Sequence, residues 1–122
     1  MMKNLGILIA ACLLFAGCKP AAAPSAEQIG AALTKVLKKD APGATAKVTK
    51  AQPTEKDAGV ISVDFTCTNC PDAGGHTALP SGHGDAAVAL EVRTNKWVLL
   101  SVTACPPDDD VNCKFYHVHE YF

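Results

Sequence analysis

Ser25 to Gly43 reads SAEQIGAALTKVLKKDAPG, and this stretch sets the start of the fold. Ser25 and Gln28 stand at the spacing of a capping box, in which each side chain satisfies the other's free backbone N–H. Glu27 falls where the positive end of a helix favours an anion. Ile29, Leu33, Val36 and Leu37 recur at the i, i+4, i+7 and i+8 positions of one helical stripe, with Ala32 beside them. Lys35, Lys38 and Lys39 lie off that stripe, and Ala41-Pro42-Gly43 stops the helix. Beyond Gly43 the apolar period drops to two. Residues 44–51 read as a modest edge strand and 52–59 as a turn-rich loop around Pro53 and Gly59. Ile61, Val63 and Phe65 share one face of a strand over 60–66. Val88, Leu90 and Val92 alternate over 86–93, and a tight turn at Thr94-Asn95-Lys96 leads into 97–104, where Val98, Leu100 and Val102 alternate. The last strand is expected over 114–121. One helix followed by four or five antiparallel strands predicts an α+β domain, its helix covering one face of a curled sheet.

The chain begins MMKNLGILIAACLLFAG. Lys3 supplies a positive start, and residues 5–16 form an apolar run that would reach only ~18 Å as a helix, against a hydrocarbon core of ~30 Å. That pattern predicts a signal peptide over 1–17 in place of a membrane span. Its end, Leu14-Phe15-Ala16-Gly17-Cys18, resembles the lipobox of bacterial lipoproteins, which are cut before the Cys. The resemblance implies that Cys18 is lipidated, carrying palmitate-like acyl chains. Two or more such chains anchor a protein stably, whereas one holds only reversibly. Lys19 follows where lipoproteins retained at the inner membrane of enteric bacteria usually carry Asp, which implies the outer membrane, facing the periplasm. Residues 18–24 then form the acylated Cys and a Pro/Ala tether, and 25–122 the periplasmic domain.

Length, charge and cysteine content agree with one small exported domain. The 122 residues carry 11 Lys+Arg against 12 Asp+Glu, a net charge of -1, which excludes a broad electrostatic nucleic-acid binder. With 48% hydrophobic residues, the chain is too apolar to be wholly disordered. Of six Cys, Cys12 lies in the signal peptide and Cys18 at its end. In an antiparallel meander, Cys67, Cys70, Cys105 and Cys113 all fall at one end of the sheet, so two disulfides are expected outside the cytoplasm. Three pairings are open. The crossed ones are favoured because they would tie neighbouring strand ends. Cys67-Thr68-Asn69-Cys70 also has redox C-x-x-C spacing, but no helix follows it to lower a thiol pKa, so it reads as a disulfide partner.

Residues 71–85 hold four of the nine Gly and two of the four His, and read as a long loop. His76 and His83 on that loop, and His117 and His119 two apart on the last strand, are candidate ligands for Zn²⁺ or Cu²⁺. Asp108-Asp109-Asp110 lacks the spacing of a calcium loop and reads as a solvated tip. The element order resembles that of cystatin-like folds, an analogy that says little about activity. The expected role is non-enzymatic and needs no cofactor: an outer-membrane-anchored module that binds, inhibits or helps assemble an envelope protein or a cell-wall component such as peptidoglycan. The alternative is a periplasmic metal-binding lipoprotein that uses its histidines.

Overall fold

The computed structural model describes residues 20–57, 59–74 and 77–122. The signal peptide, Cys18 and His76 lie outside the described residues. One helix, α1 (Ala26–Leu37), precedes five strands: β1 (Thr45–Pro53), β2 (Val60–Pro71), β3 (Ala78–Glu91), β4 (Lys96–Cys105) and β5 (Lys114–Tyr121). They form a single antiparallel sheet in the order β1-β2-β3-β4-β5, with α1 packed on one face. Among the described residues no helix is long and apolar enough to cross a membrane.

The helix forms where its sequence dictates. The Ser25 hydroxyl accepts from the Gln28 N–H at 3.1 Å, and Gln28 Oε1 accepts from the Ser25 N–H at 2.8 Å. Ile29, Leu33, Val36 and Leu37 are all buried, and they join Val63, Phe65, Val88, Leu99 and Val102 of the sheet in one core. Thr34 Oγ1 accepts from the Ala46 N–H at 2.9 Å, so α1 covers part of the β1 edge, which would otherwise offer an unpaired strand to another chain. Register shifts at Val48/Lys50, Ala87/Val88 and Leu99/Ser101 increase the twist and curl the sheet.

Three expectations about the strands need correction. Val92 is exposed beyond the end of β3, because Asn95 (φ 55°) closes the turn and places Val92 within it. In β4 the core takes Trp97, Leu99, Val102 and Ala104. The irregularity between Leu99 and Ser101 moves the inward set by one residue and leaves Leu100 exposed. The largest change concerns 71–85: β2 runs through Cys67 and Cys70 to Pro71, and β3 starts at Ala78. Pro71, Pro80, Gly82 and Gly84, part of the pattern that suggests a loop, lie within strands. Pro80 sits in the part of β3 beyond its pairing with β4, which starts at His83, and its missing N–H is tolerated at such an edge.

Gly82 and Gly84 are there because β4 carbonyls and β2 side chains close on them from both sides. Phe65 lies opposite Gly84 and Cys67 opposite Gly82. A Cβ on Gly84 would collide with the Thr103 carbonyl and meet Phe65 Cζ at 2.6 Å. A Cβ on Gly82 would meet the Cys105 carbonyl at 2.6 Å and Cys70 Sγ at 2.9 Å. Large side chains on one strand thus require bare backbone on the next. Gly84→Ala is therefore expected to destabilise the domain by ~1–3 kcal/mol through overpacking, read as a lower urea midpoint at unchanged slope; a midpoint equal to the parent's would refute this packing argument.

Candidate functional site

The pleat decides how the cysteines pair. Cys67 is opposite Gly82 and Cys105 is opposite His83. Directly opposed residues share a face and consecutive residues do not, so Cys67 points to the helix side and Cys105 to the outer side. The disulfides are Cys67–Cys70 and Cys105–Cys113, which corrects the expected crossed pairing: its sulfurs would lie on opposite faces of the sheet. Cys67 and Cys70, three apart, would normally face opposite ways. Asn69 breaks the alternation with a left-handed φ of 52°, and both cysteines are buried in the core. The Asn69 amide donates to the Gly43 carbonyl at 3.3 Å, tying this bend to the segment after α1. In the chain-entropy picture, loops this short contribute about 2 and about 2.5 kcal/mol.

On the outer face, Cys105 lies beside His83 and Asp110. His83 Nε2 is 2.7 Å from Asp110 Oδ1. The donor atoms of His83, Cys105 and Asp110 all lie within 4.8 Å of one another. Two of the three consecutive aspartates therefore do different things. Asp109 folds the loop: its Oδ1 accepts from the N–H groups of Val111 at 2.6 Å and Asn112 at 3.2 Å, and its Oδ2 from the Asn112 amide at 2.6 Å. These donors, the Val111 N–H foremost, hold its carboxyl below the usual range. Asp110 turns to His83. Sequence reasoning missed that pairing, since nothing in the spacing joins positions 27 residues apart.

The other two described histidines, His117 and His119, lie elsewhere on the same face. His117 is opposite Ser101 and His83 opposite Cys105, four β4 residues apart, or about 13 Å along the strand. The three described histidines thus do not gather at one point. His117 packs edge-on to Phe115 with centroids 4.6 Å apart, and His119 edge-on to Tyr121 at 5.0 Å. The Tyr121 hydroxyl donates to Glu91 Oε1 at 3.0 Å, which leaves its oxygen to accept from His119 Nε2 at 3.2 Å. The Thr94 hydroxyl also donates to Glu91 Oε1, at 2.7 Å. On the core side of β5, the Tyr116 hydroxyl donates to Asp40 Oδ2 at 2.8 Å. Burial, and then this bond, push the Tyr116 phenol well above its usual range.

At the opposite end of the sheet the N-terminal segment is fastened. The Trp97 indole N–H donates to the Ala21 carbonyl at 2.9 Å, and the Ala21 N–H donates to Asn95 Oδ1 at 2.8 Å. Ala21 packs against the core. The expected tether is therefore docked at Ala21. A groove of about 420 Å³ runs between α1 and β1, lined by Gly30, Thr34, Ala46 and Val48 among others. It offers chiefly small and aliphatic surface, and the Thr34 hydroxyl there already accepts from Ala46.

No protein-family model matches the chain, and comparison with curated proteins and with solved structures finds no match either.

The Glu91 cluster generates a pH dependence. Hydrogen bonds from Thr94 and then Tyr121 hold Glu91 below its ordinary 4.5. A carboxylate with a depressed folded pKa contributes stability that is complete above its unfolded value and is lost as pH falls through the folded one. The Glu91→Gln variant is expected to show a shallower loss of stability between about pH 5 and pH 3 than the parent. Urea midpoints measured across that window check it, and parallel curves would refute it.

Proposed function

We propose that the chain is a lipoprotein, acylated at Cys18 and held at the outer membrane, whose periplasmic domain binds an envelope protein or cell-wall component without catalysing a reaction. The observation that carries the binding role is the open face of the sheet. The helix covers one side only, and the other presents Phe115 at 53% exposure, Tyr121 at 47% and Leu100 at 39%. Exposed aromatic surface next to polar groups is the composition of a protein-binding patch. It adjoins β5, whose one ladder partner among the described residues is β4, so its outer edge is open to strand addition. Two disulfides, with every cysteine among the described residues paired, support an oxidising compartment. The helix-then-meander order is also that of cystatin-like folds, and we assign that likeness to architecture only.

The fastening of Ala21 supports a particular orientation. Cys18 precedes Ala21 by three residues, a reach of at most ~11 Å. Acylation at Cys18 would set the β3–β4 turn beside the bilayer. The disulfide end would then stand away by the length of β4, about 33 Å for ten residues.

Two measurements test this proposal. Radiolabelled palmitate should enter the expressed chain and not its Cys18→Ala variant; label in both, or in neither, would overturn the anchor. Crosslinking in the envelope should then trap a defined partner, and its yield should fall at least about tenfold in a Phe115→Ser/Tyr121→Ser variant that loses its aromatic anchors. An undiminished yield would overturn the assignment of the open face.

A further inference from the structure

We propose that the Cys105–Cys113 disulfide covers a metal site: once reduced, these two sulfurs, His83 and Asp110 form a four-donor centre for Zn²⁺. The donor atoms of His83, Cys105 and Asp110 already lie within 4.8 Å of one another, and Cys113 is bonded to Cys105. Around tetrahedral Zn²⁺, with bonds of about 2.0–2.3 Å, neighbouring donors stand about 3.3–3.8 Å apart. The His83–Asp110 contact of 2.7 Å must open by about 0.6–1 Å, and the two sulfurs by about 1.7 Å. His83 and Cys105 are placed by adjacent paired strands, while Asp110 and Cys113 belong to the loop between β4 and β5. The adjustment therefore falls on that loop and leaves the sheet in place.

This site differs from a centre made by the histidines together, because His117 and His119 are engaged with Tyr121 and Phe115 along β5. It differs also from the C-x-x-C pair. Cys67 and Cys70 are on the helix side, buried in the core. Cys113 is half-buried and His83 keeps 38% of its side chain exposed, so a small dithiol reaches the outer disulfide first. Among the described residues, His83, Cys105 and Asp110 are the group of three or more metal-ligating side chains close enough to share an ion.

The chemistry balances with a dithiol as reductant. One of its thiolates attacks Cys113 Sγ, breaking the Cys105–Cys113 bond and releasing Cys105 as thiolate. The second sulfur of the dithiol then displaces Cys113, and the reductant leaves as its own disulfide, having given two electrons and two protons. Zn²⁺ then takes the place of the two thiol protons. Because the ion binds the reduced form alone, it shifts the thiol–disulfide equilibrium toward reduction by the factor with which reduction strengthens Zn²⁺ binding.

The test uses the purified protein, oxidised or treated with a mild dithiol that is then removed without air, and Co²⁺ as a visible stand-in for Zn²⁺. The reduced protein should bind one Co²⁺ with the intense bands of a tetrahedral thiolate site, and Zn²⁺ should bleach them. The oxidised protein should show none. His83→Ala should weaken binding by at least about tenfold; both the residue and Asp110 are on the surface, so the fold survives the change. If the reduced chain loses structure by circular dichroism, Zn²⁺ should restore it, as in metal-dependent folds. A reduced protein that takes no Co²⁺, that is not restored by Zn²⁺ after unfolding, or that binds equally well as His83→Ala would overturn the proposal.

Discussion

The close approach of β2 side chains and β4 carbonyls to the bare backbone of β3 governs this structure. Phe65 and the Cys67–Cys70 disulfide occupy the space that side chains at Gly84 and Gly82 would need. With that space free, β3 extends into a stretch whose composition suggests a loop. The same packing commits Cys67 to the helix side of the sheet and, through the pleat, Cys105 and His83 to the other. Disulfide pairing, the burial of one cysteine pair and the location of the His83 corner all follow from it.

Two ends of the sheet are then put to different uses. At the β3–β4 turn, Trp97 and Asn95 hold Ala21, so an anchor at Cys18 would be kept within about 11 Å of this end of the domain. At the other end, two covalent loops replace core volume that a domain this small lacks. The outer pair shares its surroundings with a histidine and a carboxylate, which makes it chemically richer than a staple. Between these ends lies an open face whose aromatic rings are paired with histidines along β5, giving it both apolar area and polar handles.

Much of the architecture was legible in the sequence because it rests on local chemistry. The capping box, the Ile29–Leu37 stripe and the inward set of Ile61, Val63 and Phe65 each follow from periodicity within a few residues. An antiparallel meander was the arrangement that put four cysteines at one end of the sheet, and His117 and His119, two apart, share a face through alternation. The extension of β3 was hidden because Gly and Pro carry the same local signal in a loop, at a sheet edge or beneath an aromatic ring. The inward set of β4 was misplaced because a bulge moves the period by one residue without marking it in composition.

What the sequence by itself determined is the set of elements, the face each helical turn and regular strand buries, the expectation of an exported and lipidated chain, and the number of disulfides. Only the tertiary structure decided which cysteines pair, which aspartate meets His83, and that Ala21 is held by Trp97. The reason is distance along the chain: capping and amphipathicity act over one to a few turns, whereas these contacts join residues as far as 76 positions apart. Which of those distant residues meet depends on register and on the side of the pleat, and Phe65 packed over Gly84 is part of what holds both.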